Sequence, residues 1–369
     1  MALQIPLPAH GGQLRQIAER FGVPADELLD FSANINPVGP PASVLTAMRR
    51  ALDDPATLIE YPDVELTDLR RTIAHCIGLS PENIAAANGF VPLLNAALRS
   101  LKIKRCLLPV PSFGEYRRGL EDAGVAVIPF HLSQTNGFEY EIEVLREALV
   151  VHSCDGILLA NPQNPTGALC GAKKMRRLIE MAAAHSATVL LDEAFIDYFP
   201  TDSLARLTVE SANLIVFRSV TKFFAIPGLR VAYAVAGASK IHALNRFVAP
   251  WPVASIASIA TCAALPDTVY AEESRAANDR RRRWLEEGLA RLNVVTYPSQ
   301  ANFLLMRLPV AVEVTALWER MILDEQMVLR SCANFEGLAA GHLRTSVRSE
   351  ADNERLIDGL ARTISKLAR

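Results

Sequence analysis

The sequence predicts an α/β fold, a larger domain on a mostly parallel sheet with helices on both faces, joined to a smaller α+β domain. Three observations carry this expectation. Short apolar runs recur at 106–109, 125–130, 156–160, 188–192, 214–218 and 231–236. Strands that are apolar throughout, rather than at alternate positions, are those covered on both faces. The intervening segments have helical periodicity, as in 173–185, where Met175, Leu178, Ile179 and Ala182 share one face. After Pro252 the alternation gives way to strands that follow one another with fewer crossover helices.

Taken in order, the chain divides into an arm (1–40), a large domain (41–252) and a small domain (253–369). The arm holds a helix with Leu14, Ile17, Ala18 and Phe21 on one face, then an extended segment over 30–37. It is expected to pack with the small domain and reach back over the active site. In the large domain the helix 91–101 follows Asn88-Gly89-Phe90, and the apolar runs and helices named above follow in turn. The small domain reads as a charged helix (270–292), strands 294–297 and 302–307, helix 312–324, strands 328–331 and 342–348, and a last helix from Glu350.

Composition narrows the function. With 38 Lys and Arg against 40 Asp and Glu, the net charge is −2. That leaves no field to draw nucleic acid or an anionic membrane. The basic run Arg280 to Arg283 has Asp279, Glu286 and Glu287 beside it, the pattern of a solvated helix face. The six cysteines form no C-x-x-C pair and no two of the seven histidines stand at helical ligand spacing, so no metal is expected. The cysteines read as reduced, and the first residues lack a secretory signal, which makes the cytoplasm the expected compartment. The most apolar tract, 253–265, is too short to span a bilayer.

In open α/β sheets, ligands bind beyond the carboxyl ends of strands. Lys222 follows an apolar run there, with Ser219 and Thr221 before it and Arg230 eight residues on. An amine with hydroxyls and a guanidinium nearby suits imine chemistry beside a phosphate. Asp192 ends another run, and a carboxylate there can pair with a ring N–H⁺ through a charge-assisted hydrogen bond of roughly 1.5–3 kcal/mol. Asn161-Pro162-Gln163-Asn164-Pro165-Thr166-Gly167 ends a third run, its prolines restricting the loop that presents Asn164. Asn88-Gly89-Phe90 opens a helix whose first amides can hold a phosphate. Taken singly, these motifs are equally a surface lysine, a helix cap, a plain turn and a helix start.

In this order they resemble the fold-type-I pyridoxal-phosphate enzymes, the aspartate aminotransferase-like family, over essentially the whole chain. The resemblance implies pyridoxal 5'-phosphate as cofactor, with Lys222 as the Schiff-base lysine and Asp192 as partner of the pyridine nitrogen. It implies that Asn164 contacts the phenolic oxygen, that Phe113 stacks on the ring, and that Gly89, Phe90, Ser219, Thr221 and Arg230 hold the phosphate. It also implies a homodimer in which Tyr61 reaches the neighbouring site.

Within the family, His10-Gly11-Gly12 and the stretch Leu29 to Pro37 resemble the branch that decarboxylates L-threonine O-3-phosphate in cobalamin biosynthesis, and next the histidinol-phosphate aminotransferases. This likeness implies a small phosphorylated amino acid as substrate. Arg348 would clamp its carboxylate, His10, Asn34 and Arg330 would hold its phosphate, and Gly11 would also lie at the substrate. Phe195 stands where aminotransferases of the family usually carry tyrosine. The chain departs from the family's patterns in Asn88-Gly89-Phe90-Val91, at Gln13 and at Pro252. The expected reaction is decarboxylation, with amino transfer to 2-oxoglutarate as the alternative.

Overall fold

A computed structural model describes residues 8–367. A seven-stranded sheet forms the larger body. Before it in the chain comes the short strand β1 (Leu29–Asp30). The sheet comprises β2 (Ile84–Asn88), β3 (Arg105–Val110), β4 (Ala126–His131), β5 (Gly156–Ala160), β6 (Thr188–Asp192), β7 (Leu214–Ser219) and β8 (Val231–Val235), in the spatial order β2-β8-β7-β6-β5-β3-β4. The pairs from β7 through β6, β5 and β3 to β4 are parallel, and only β8 runs against its two neighbours.

Side chains along these strands alternate between two apolar layers, as the two-residue period of a strand requires. Ile157, Leu159, Val189, Leu191, Leu214 and Val216 enter one layer. Leu158, Leu190, Ile215 and Phe217, between them in sequence, enter the other. Burial on both faces is why these runs carry no polar alternation.

The second body is an antiparallel sheet of β9 (Val295–Thr296), β10 (Phe303–Arg307), β12 (Arg330–Ser331) and β13 (His342–Ser346), in the order β12-β13-β10-β9. β11 (Met327–Val328) instead pairs in parallel with β1, which joins the arm to this body. Ile17 and Phe31 of the arm share a core with Leu285, Leu304, Trp318 and Leu356. Two features depart from the expectation. β2 is alanine-rich, a composition that favours helix, so local propensity hid a strand that tertiary pairing creates. The helix Ser255–Ala264, past residue 252, packs on the helices Ala42–Asp53 and Thr67–Ile77 and buries Ala257, Ala260 and Ala264 in the larger core.

Candidate active site

The sheet topology brings the chemical residues to one edge. β3, β5, β6 and β7 are parallel, so Phe113, Asn164, Asp192 and the segment Ser219 to Lys222 all leave at their common carboxyl end. Because β8 is reversed, Arg230 just before its start lies at that same end. β2 is reversed again relative to β8, which returns Gly89 to it. A cavity of about 530 Å³ opens there.

It is lined by His10, Gly11, Asn34, Gly89, Phe90, Phe113, Asn164, Asp192, Ser219, Thr221, Lys222, Arg230 and Arg330, all of them residues singled out from the sequence. Asp192 is buried; its Oδ2 accepts from the Tyr116 hydroxyl at 2.5 Å and its Oδ1 from the Ala194 amide at 2.8 Å. Burial pushes the carboxyl up to about 6 against the pull of those donors. Loss of water draws the Lys222 amine down to about 8, with the Arg344 and Arg230 guanidiniums adding to the effect.

Arg348 does not join them. It lies past the end of β13, where its Nε donates to Asp352 at 3.0 Å and its Nη1 to the Asp30 carbonyl at 3.0 Å. Its backbone N–H is taken by Asn353 at the start of the last helix, which turns the chain away from the cavity. Arg344, four residues earlier, occupies the cavity wall instead: its Nη1 donates to Asn164 Oδ1 at 2.6 Å and its Nη2 to the Ser32 carbonyl at 3.0 Å. The sequence placed both arginines in one strand-like stretch, 342–348, and the structure ends that strand at Ser346, between them. Tyr61 also lies outside this cavity; it is exposed and stacked on Trp251 with ring centroids 4.8 Å apart.

Other wall residues had no assigned role: Tyr116 and Glu115, which follow Phe113 on the helix Gly114–Asp122, and Asn334 and Phe335 near β12. Arg330 and Arg344 are directly opposed across the β12–β13 pair, both buried, and burial lowers Arg344 to about 10. Two guanidiniums side by side, with Lys222 and Arg230 beyond them, face only Asp192 and Glu115 as carboxylates of the wall. Such a surplus of positive charge, with Arg330 and Arg344 buried, suits anionic ligands.

The donor set fits pyridoxal phosphate. Gly89 adopts φ +92°, and a Cβ there would come within 3.0 Å of Arg230 Nη2, so glycine keeps a cradle open beside the guanidinium. The Ser219 and Thr221 hydroxyls lie 2.8 Å apart at the same place. The Asn164 amide oxygen is taken by Arg344, which leaves its NH₂ as a donor.

Comparison with known proteins agrees with this geometry. The family described as aminotransferase class I and II matches residues 26–360. Threonine-phosphate decarboxylase of Salmonella typhimurium is 34% identical over 98% of each chain. Among solved structures, histidinol-phosphate aminotransferase from Clostridium acetobutylicum superposes with a TM-score of 0.84 at 28% identity, over 92% of this chain and 100% of that one. The Sinorhizobium meliloti histidinol-phosphate aminotransferase, solved in complex with pyridoxal-5'-phosphate, shares the fold with a TM-score of 0.85 at 23% identity, over 100% of this chain and 99% of that one. The chain belongs to the class I and II aminotransferase family of pyridoxal-phosphate-dependent enzymes.

Proposed function

We propose that this chain decarboxylates L-threonine O-3-phosphate to (R)-1-amino-2-propanol phosphate and CO₂, a lyase step of cobalamin biosynthesis. It does so as a cytoplasmic homodimer in which Tyr61 reaches the neighbouring site. The observation that supports this best is a pair of buried guanidiniums, Arg344 and Arg330, on one cavity wall. Arg344 stands beside Asn164, while Arg330, His10 and the buried Asn34 gather with the arm. A substrate with both a carboxylate and a phosphate uses both; bidentate guanidinium contact fixes orientation as well as charge. The 34% identical relative supports the same reading, and Phe195 places a ring without a hydroxyl on the wall.

Bound pyridoxal phosphate supplies an electron-accepting ring for the pair left at the substrate Cα when CO₂ departs. This chain's residues do the rest. Asp192 holds the proton at the ring nitrogen; a buried carboxylate gains most from a cation placed directly against it. Ser219, Thr221, Arg230 and the first amides of the helix Phe90–Leu101, with Gly89 and Phe90 at its start, hold the cofactor phosphate. Phe113 covers the ring and Asn164 donates to the phenolic oxygen. Arg344, in the role first expected of Arg348, orients the carboxylate to be lost. Lys222 Nζ, the amine nearest the cavity's reacting end, returns a proton to Cα.

The histidinol-phosphate aminotransferase neighbour at 28% identity supports a second reading, in which the phosphate site is kept and the Cα proton leaves instead of CO₂. One comparison separates them. The holoenzyme is given O-phosphothreonine and CO₂ is measured; separately it is given histidinol phosphate with 2-oxoglutarate and glutamate is measured. CO₂ release from the first supports decarboxylation, and glutamate without CO₂ replaces it with amino transfer.

A further inference from the structure

Glu115 is the one carboxylate of the cavity wall that the chemistry above leaves without a task. A negative charge among cations assembled for anions is unfavourable unless it holds one of them. Its Oε1 lies 2.9 Å from His10 Nε2, and its Oε2 lies 3.9 Å from Arg118. The His10 ring also packs against Phe113, with centroids 5.7 Å apart.

On the other side of the arm, Arg330 Nη2 and Asn334 Nδ2 donate to the Ala9 carbonyl at 2.6 and 3.0 Å. The next residues are pinned from below. The Gly12 amide donates to Ser32 Oγ at 2.9 Å, and a Cβ on Gly11 would stand 2.1 Å from the Ser32 carbonyl, so the arm lies directly on that backbone. Ala9 and His10 therefore span from the antiparallel body, through Arg330, to the first turn of the helix Gly114–Asp122 on the larger body, through Glu115.

We infer that Glu115 is a positioning residue: it fixes the His10 imidazole and the arm that carries it over the cavity, so that His10 meets the substrate phosphate already oriented. The inference rests on the proposed role of His10 in phosphate recognition. It assigns to Glu115 no contact with the reacting atoms. One prediction separates it from a purely structural role: Glu115 acts only while His10 is present.

The test compares wild-type holoenzyme with Glu115→Gln, His10→Ala and the double variant, on O-phosphothreonine. Glu115→Gln is expected to raise KM about tenfold, or 1.4 kcal/mol, with kcat within about twofold. In the double variant KM matches that of His10→Ala alone, because the coupling has no route left. An additive rise, or a fall in kcat at constant KM, overturns the inference. Amide exchange of residues 9–12 in the holoenzyme without substrate gives an independent readout, expected to quicken about tenfold in Glu115→Gln. Unchanged exchange also overturns it. If wild type turns over histidinol phosphate instead, the same cycle is read on that phosphate ester. If it turns over neither, the proposed function fails, and exchange alone decides the role of Glu115.

Discussion

The two walls of the cavity are built on different principles. The inner wall comes from the carboxyl edge of the seven-stranded sheet, where Asn164, Asp192, Ser219, Thr221 and Lys222 each stand on or just beyond a strand buried on both faces. Strand register sets their spacing: Ala160 lies beside Asp192, and Asp192 beside Phe217. The outer wall joins the two ends of the chain. His10, Ser32 and Asn34 meet Arg330, Asn334 and Arg344, and the contact from Arg330 to Ala9 spans 321 positions of sequence. Its members are held by polar contacts between distant segments, and those of His10 and Asn334 are exposed, where water competes for them. The inner wall is thus suited to fixed chemistry and the outer to admitting and selecting a ligand.

The largest effect belongs to the inner wall. Lys222→Ala is expected to lose covalent retention of pyridoxal phosphate after borohydride reduction, measured by mass, together with all turnover. An adduct of unchanged stoichiometry would move the attachment point elsewhere.

Next comes a contrast between two arginines at the edge of the outer wall. Arg344→Gln should lower kcat/KM by about 10²–10³, roughly 3–4 kcal/mol of transition-state binding, as when one partner of a buried charge pair is removed. Arg348→Gln should keep kcat/KM within about threefold and instead cost about 1 kcal/mol of stability through its contacts to Asp352 and the Asp30 carbonyl. Equal kinetic losses would return Arg348 to the site.

Asp192→Asn sharpens the contrast between function and stability on the inner wall. In the cofactor-free protein the carboxyl titrates near 6 rather than 3.8, so between these values the folded state binds more protons than the unfolded one. Stability then falls as pH rises through that window, and the penalty is complete above it and absent below it. Cofactor-free Asp192→Asn should therefore be more stable than wild type at pH 7 by about 1–3 kcal/mol, converging with it toward pH 4. Cofactor binding should weaken in the same variant. Denaturant melts at several pH values check the first, and equilibrium titration the second. A variant less stable than wild type at pH 7 would contradict the burial argument.

The smallest effect is expected from Gly89→Ala. The positive φ and the nearby Arg230 should together cost about 1–2 kcal/mol in stability and loosen cofactor binding several-fold. Unaltered binding would show that the cradle tolerates a methyl group.

The difference between the walls is also a difference in legibility. The inner residues were readable because each follows an apolar run that can only be a buried strand, and ligands gather at the ends of such strands. Glu115 and Tyr116 sit in a helix whose periodicity says nothing of what faces it across the cavity. Arg344 and Arg348 share one strand-like stretch; only the pairing of Arg344 with Arg330, and the turn into the last helix after Ser346, separates them. Neither is a local property.

From sequence alone, the α/β class, the sheet edge that bears the lysine and aspartate, and the likeness to pyridoxal-phosphate enzymes were determined, because burial on both faces writes itself as uninterrupted apolar runs. The alanine-rich β2, the arginine that enters the cavity and the contact between His10 and Glu115 were decided by the tertiary structure. Each depends on partners far away in the chain, and local propensity and spacing carry no record of a partner that only folding brings near.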